Sequence, residues 1–370
     1  MLFHLFQLLR EDFRFLNVFR YVSTRVGLAT LTSLVITFVV APWFIKRARE
    51  RQIGEVIRSD GPASHASKKG TPTMGGSVII LALAFGTLLW CDLSSELVWL
   101  ALLVTVGYGI LGFVDDYIKL VHKNKRGVPG KIKILFQVLI GGVAVTWLLA
   151  GNALEPHVRL QLVLPLVAIE RFSPELPLAV YVLFGLVVVV GTSNAVNLTD
   201  GLDGLAIGPV IICSFTFMFL CYAAGTVLRD FNIASYLGLA HVQGAGELAI
   251  FCGAIGGAGI GFLWYNTHPA QVFMGDVGAL ALGGALGFVA LATKTEMSLP
   301  VIGGVFVAEA VSDIIQVGYY KRTKRRVFLM APIHHHFEKL GWPESRIVVR
   351  FWIVSFICAT LGLIVTLKVR

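Results

Sequence analysis

Carboxylates are scarce in this chain, and they gather. Asp115 with Asp116, Asp200 with Asp203, Asp276, and Glu309 with Asp313 each stand at or near the end of a long apolar run. Acids held so close to hydrocarbon are costly and usually mark chemistry. Carboxylate oxygens are what a hard cation such as Mg2+ takes, with phosphate oxygens and water completing its shell. The clusters therefore point to a Mg2+-dependent site for an anionic phosphate substrate. Asp276 suits the role of metal ligand best, because Gly275 and Gly278 flank it and leave its carboxylate uncovered.

Gly112-Phe113-Val114-Asp115-Asp116-Tyr117 closes one apolar run. Neighbouring residues on a helix lie about 100° apart, so these two acids are expected to point differently and to have different roles. A solvated helix end with Lys119 as partner is the plainer alternative, but the helix dipole disfavours acids at a C-terminus. Asn194-Ala195-Val196-Asn197-Leu198-Thr199-Asp200-Gly201-Leu202-Asp203-Gly204 is the densest polar segment. Asp-Gly pairs are ordinary turn punctuation, which leaves the upstream asparagines unexplained. Three consecutive histidines, His334, His335 and His336, cannot easily share one ion. No cysteine or spaced partner accompanies them as zinc sites require, so anion binding and orientation of a leaving phosphate is the better reading. Residues 61 to 76, rich in Gly, Ser, Thr and Lys, resemble a phosphate cradle in composition without forming a Walker motif.

The elements that carry these groups are read from hydropathy. The chain is 56% hydrophobic and 14% charged, with a mean hydropathy of +0.77, far more apolar than a soluble core of 370 residues needs. Runs long enough for about 30 Å of hydrocarbon fall at 23–45, 75–90, 97–114, 132–150, 177–196, 205–225, 245–263, 277–293, 299–320 and 347–367. The expected fold is thus an all-α integral membrane protein of about ten transmembrane helices, a single polytopic domain over 1–370. Arg10, Glu11, Asp12 and Arg14 interrupt the first apolar stretch, so no cleavable signal is expected. Residues 1–20 are expected to form an interfacial amphipathic helix. The five cysteines have no ligand spacing and suit packing, as do Gly253, Gly257, Gly261, Gly283 and Gly287 at four-residue intervals.

Lys and Arg number 7 in 46–73, 6 in 115–133 and 7 in 321–346, against 0, 2, 1 and 1 in 91–96, 151–176, 226–244 and 293–298. The positive-inside rule places the first set in the cytoplasm. Ten spans then put both termini in the periplasm. Loops 46–74, 115–131, 197–204, 264–276 and 321–346 gather at the cytoplasmic face, where the active site is expected. The net charge of +9 follows from topology, and no soluble basic domain or interleaved aromatic motif supports a nucleic-acid partner.

KKGTPTMGG at 68–76, GFVDDY at 112–117, NAVNLTDGLDGLA at 194–206, FMGDVG at 273–278 and MAPIHHHFE at 330–338 together resemble the polyprenyl-phosphate N-acetylhexosamine-1-phosphate transferases, glycosyltransferase family 4. PIHHHFE followed by Gly341-Trp342-Pro343-Glu344 resembles the muramoyl-pentapeptide branch. The resemblance implies transfer of phospho-N-acetylmuramoyl-pentapeptide from its UDP carrier to undecaprenyl phosphate, giving UMP and the lipid-linked product. It also implies Mg2+ and residence in the bacterial inner membrane, with a homodimer as a candidate assembly. By motif, Asp276 resembles the metal ligand, and Asp115 and Asp116 the essential catalytic pair, with His334 and His335 counted alongside them. Asn197, Asp200, Asp203, Asn266 and Phe273 resemble the nucleoside and diphosphate pocket. Lys68, Thr73, Lys119, Gly275, Gln316 and His336 resemble further substrate contacts. Two positions depart from the pattern: Ala279 where Ser is expected in GDVGSLALGG, and Asp313 where an apolar residue is usual. A sister sugar-1-phosphate transferase and an anion transporter are the alternatives. The histidine motif argues against the first, and against the second stands the placing of most ionisable residues at run ends rather than at the midplane.

Glu309 is not explained by turns or helix ends. It lies twelve residues before Lys321, roughly 18 Å along a straight helix, where an ionised group needs a partner, a groove or a bend. A bend after Gly303-Gly304 that opens a polar groove for the lipid phosphate is one expectation. A protonated Glu309 hydrogen-bonded within the bundle is the other.

Overall fold

The computed structural model describes residues 1–51, 70–121, 127–167, 169, 171–228 and 231–367. Lys68 lies outside the described residues. In lipid each backbone polar group must be satisfied within its own segment, and the apolar runs accordingly form helices. In order these are α1 (Leu2–Leu9), a 3-10 helix (Arg14–Arg20), α2 (Val22–Glu50), α3 (Gly76–Trp90), α4 (Glu96–Val121), α5 (Gly130–Ala150), α6 (Leu178–Thr199) and α7 (Ile207–Gly225). A two-stranded antiparallel hairpin, β1 (Val227–Leu228) and β2 (Phe231–Asn232), follows. The remainder is α8 (Ile233–Tyr236), α9 (Ala245–Asn266), α10 (Gly275–Ala292), α11 (Leu299–Ile302), α12 (Gly304–Thr323), α13 (Ile333–Lys339) and α14 (Glu344–Thr366).

Among the described residues eight helices are long and apolar enough to cross a membrane: α2, α4, α5, α6, α7, α9, α10 and α14. The protein is therefore a multi-pass helical membrane protein. Two of the ten expected spans fall short of that standard. Helix α3 has 15 residues, about 22 Å of rise against about 30 Å of hydrocarbon. The ninth run breaks at Gly303 (φ −91°, ψ 29°) into α11 and α12, and α12 carries Glu309, Asp313, Lys321 and Arg322.

The N-terminal segment also differs from expectation. Instead of one helix over 1–20, α1 stops at Leu9 and the chain turns through the charged residues 10–12 to an extended Phe13 before the 3-10 helix. Part of its apolar surface packs on protein: Phe6 and Phe19 are 4.5 Å apart, and their rings lie 6.2 and 5.9 Å from that of Trp90, while Leu5, Leu8, Phe13, Phe15 and Val18 are exposed.

Helices α9 and α10 form the centre. Every residue of α10 from Val277 to Ala292 is buried, Ala279 included. The small residues act as clearance: side chains at Gly253, Gly257 and Gly261 would strike α2, and at Gly283 and Gly287 would strike α6. Two buried ion pairs tie loops to this core away from the acidic clusters. Arg25 donates through Nη1 and Nη2 to both carboxylate oxygens of Glu247 (2.8 and 2.7 Å) and through Nη1 to the Trp90 carbonyl (3.1 Å). Lys294, just past α10, lies 3.6 Å from Glu296, while Tyr181 of α6 donates to Glu296 at 3.1 Å.

Candidate active site

The end of α4, the start of α5 and the start of α10 meet. Gly112 makes this possible on α4, since a Cβ there would collide with the backbone at Asp276. Gly275 begins α10 at φ +72°, and a Cβ on it would come 2.5 Å from Asp116 Oδ2. Only glycine takes that backbone state without strain. Asp276 then sits in the first turn of α10, where the helix dipole favours a negative charge.

Asp115, Asp116 and Asp276 each bring a carboxylate oxygen to within 4.8 Å of the others. Both members of the adjacent pair, expected to diverge, thus bring one oxygen each to a common cluster. Their environments still differ. Asp115 is 1% exposed and accepts from the Val128 N–H through Oδ1 (2.8 Å). Asp116 accepts from the Val277 N–H through Oδ2 (3.4 Å).

Two ammonium groups enter the same cluster. Lys119 Nζ lies 2.5 Å from Asp115 Oδ2, 3.4 Å from Asp116 Oδ1 and 3.0 Å from Asp276 Oδ2. Lys133 Nζ lies 3.2 Å from Asp115 Oδ2 and 2.8 Å from Asp276 Oδ2. Lys133 was not singled out from sequence; its one signal is a lysine just inside an apolar helix start. Three carboxylates against two ammoniums leave an excess of oxygen ligands, a donor set that fits a hard divalent cation.

Loop 70–75 joins this cluster through main-chain bonds. Phe273 N–H donates to the Pro72 carbonyl (2.8 Å), and Gly75 N–H donates to the Phe273 carbonyl (2.9 Å). Thr73 is buried beside Gly275, and Phe273 is half-buried. Asn197 and Asp200 are half-buried at the end of α6, where the Asp200 N–H donates to the Asn197 carbonyl (3.3 Å).

Several residues expected to touch substrate are engaged with protein. Asn266 accepts from Gly204 N–H (3.1 Å) and donates to the Val272 carbonyl (2.9 Å). Asp203 Oδ2 accepts from Ala270 N–H (3.0 Å) and lies 3.2 Å from His268 Nδ1, while Asp203 N–H donates to Glu344 Oε1 (2.7 Å). Gln316 Oε1 accepts from Val327 and Phe328 N–H (3.1 and 3.0 Å), and its Nε2 donates to the Phe328 carbonyl (3.2 Å). All three side chains thus hydrogen-bond main-chain groups of neighbouring segments.

The histidines take different partners, although the His334 and His335 rings lie 4.1 Å apart. His334 Nδ1 lies 3.0 Å from Glu309 Oε2, His335 Nδ1 lies 2.6 Å from Glu338 Oε2, and His336 Nδ1 accepts from Leu329 N–H (3.1 Å). Glu309 is thus hydrogen-bonded within the bundle, to a histidine of the PIHHHFE motif, while the helix also breaks at Gly303 as the first of its two expectations has it. Asp313, one turn on, is half-buried, and nothing in the structure explains its acid.

The glycosyl transferase family 4 model matches residues 98–294, which include nearly all of α4 and the whole of α5, α6 and α10. The phospho-N-acetylmuramoyl-pentapeptide-transferase of Sorangium cellulosum is 53% identical over 360 residues, covering 96% of this chain and 95% of its own. Those of Desulfatibacillum aliphaticivorans and Syntrophus aciditrophicus are each 50% identical over 371 residues, covering all of both chains. With the acidic cluster inside the matched span and likeness running end to end, the chain belongs to glycosyl transferase family 4, among the phospho-N-acetylmuramoyl-pentapeptide-transferases.

Proposed function

We propose that the protein transfers phospho-N-acetylmuramoyl-pentapeptide from UDP-N-acetylmuramoyl-pentapeptide to undecaprenyl phosphate, releasing UMP. The observation that carries this reading is the convergence of Asp115, Asp116 and Asp276 with Lys119 and Lys133 at one end of the bundle. The full-length relatives supply the substrate class.

In this reaction an oxygen of the lipid phosphate bonds to the sugar-bearing phosphorus, and the bond to UMP breaks with its electron pair leaving on UMP. Phosphoryl transfer asks a protein mainly for positioning and charge neutralisation. Lys119 and Lys133 supply positive charge beside the acids. A phosphate monoester has a second pKa near about 6 and is mostly dianionic at neutral pH, so a strong general base is not required. Asp115 suits an orienting role: one of its oxygens is taken by the Val128 amide and the other faces both lysines. That favours direct attack over a route through an aspartyl phosphate. The carboxylates would hold Mg2+, with Asp276 as principal ligand, and the ion would neutralise diphosphate charge.

The Lys and Arg distribution supports a cytoplasmic location for this end of the bundle and residence in the bacterial inner membrane. If α3 and the α11–α12 pair also cross, the count reaches ten and both termini are periplasmic. Acids at helix ends favour a transferase over an anion transporter, whose sites lie near the midplane. Purified protein should release UMP only when UDP-N-acetylmuramoyl-pentapeptide and undecaprenyl phosphate are both present. Release with the nucleotide substrate alone, or none with both, would reject this function.

A further inference from the structure

Helix α12 carries an acid that the carboxylate cluster does not use. Glu309 is fully buried and His334 is 1% exposed. The break at Gly303 and the fold-back of α13 bring them together across 25 positions of chain, with Nδ1 3.0 Å from Oε2. His334 Nε2 is buried and has no hydrogen-bond partner among the described residues, nor has Glu309 Oε1. Buried polar atoms are almost always paired, so the free ring nitrogen calls for a ligand.

Its direction is defined. A Cβ at Gly201 would collide with His334 Nε2, so the ring nitrogen abuts the loop that follows α6. That loop is braced to the 264–276 segment through Gly204 and Asn266 and through Asp203 and Ala270. The same segment ends in Gly275, against Asp116. His334 thus adjoins a loop that is hydrogen-bonded to the segment leading into Asp276. A histidine backed by a carboxylate is fixed in orientation and better able to carry positive charge at its other nitrogen. Such a nitrogen suits a phosphate oxygen.

We propose that Glu309 is a positioning residue, which accepts the Nδ1–H of a doubly protonated His334 and so presents its Nε2–H to a phosphate oxygen of one of the two substrates. The proposal rests on the transferase reading. Either the nucleotide diphosphate or the lipid phosphate can supply that oxygen, and kinetics with each substrate varied separately tells them apart.

The test compares full-length wild type, Glu309→Gln, Glu309→Asp, His334→Ala and the double variant Glu309→Gln/His334→Ala. Glu309→Gln retains shape and an acceptor oxygen. It should raise the KM of one phosphate substrate about tenfold, the size expected from weakening one charge-assisted hydrogen bond. Glu309→Asp should recover part of that loss. If Glu309 acts through His334, the double variant is no worse than His334→Ala, because the two changes break one interaction. Histidine 15N NMR of the detergent-solubilised protein should show the Nδ1 signal of His334, assigned by its loss in His334→Ala, moving in Glu309→Gln. Losses that multiply in the double variant, both KM values unchanged in Glu309→Gln, or an unmoved Nδ1 signal would each overturn the proposal. If wild type itself releases no UMP, the transferase reading fails, while the NMR comparison still reports on the pair.

Discussion

The two ends of α10 hold ionisable clusters of opposite character, separated by 18 residues, roughly 27 Å. At the N-terminal end Asp276 joins Asp115 and Asp116 against Lys119 and Lys133, and Lys119 is still 33% exposed. Acids outnumber amines there, and each lysine faces more than one carboxylate. At the C-terminal end one lysine, Lys294, faces one acid, Glu296, and both side chains are fully buried. Burial pushes the Lys294 ammonium down and the Glu296 carboxyl up, each opposed by its partner. A charge-balanced, sealed pair can join a loop to a core but cannot take a ligand. An unbalanced, partly open cluster can exchange partners, and ligand binding requires that.

The contrast is most exposed to failure at Asp276. Asp276→Asn is expected to lower turnover on the order of 10³-fold, the upper end for loss of one electrostatic group at a reacting centre, and to weaken Mg2+ binding measured by calorimetry. Ordinary turnover and Mg2+ affinity would remove Asp276 from the metal role. Asp115→Asn and Asp116→Asn should each cost about 10²-fold, yet differ in how the loss divides between kcat and the two KM values, since one acid holds the Val128 amide and the other the Val277 amide. Identical kinetic profiles would deny them separate roles.

Lys133→Met is expected to cost somewhat less, about tenfold in kcat/KM, the size of one charge-assisted hydrogen bond, with partial recovery in Lys133→Arg. A fully active Lys133→Met protein would mean that Lys119 alone balances the acids. The smallest effect on turnover belongs to the far end of α10. Lys294→Met should lower unfolding stability by about 3 kcal/mol by leaving Glu296 buried without its cation, while turnover per folded molecule stays unchanged. Adding Glu296→Leu should restore much of the loss. Thermal unfolding in detergent and active-site-normalised rates check both points, and a fall in normalised turnover would break the distinction between the two ends.

Much of the helical plan was legible in one dimension. All ten apolar runs are helical, because hydropathy and the need to satisfy backbone groups act segment by segment. The break at Gly303 was foreshadowed by Gly303-Gly304 and by the problem of Glu309. The turn at residues 10–12 was not, since the apolar spacing of the N-terminus fits an unbroken helix as well as a broken one, and the packing of Phe6 and Phe19 on Trp90 depends on a distant segment. Among the motif residues, Asp115, Asp116 and Asp276 converge, whereas the amides of Asn266 and Gln316 and the carboxylate of Asp203 are taken up by main-chain groups of neighbouring loops. Sequence spacing cannot separate these cases. A polar side chain that holds a loop and one that holds a ligand obey the same chemistry.

By itself, then, the sequence determined a multi-pass helical membrane chain, its family motifs and the positions of its acids, all properties of residue type and local order. The tertiary structure decided partnership. Asp116 meets the Val277 amide 161 residues away, Lys133 meets Asp276 across 143, and His334 meets Glu309 across the fold-back of α13. Those pairings depend on which helix faces lie together. The packing of α4 and α6 on the glycine-lined α10, of α5 on α4 and α6, and of α12 on α6 sets those faces, and no local rule of hydropathy, capping or turn chemistry encodes them.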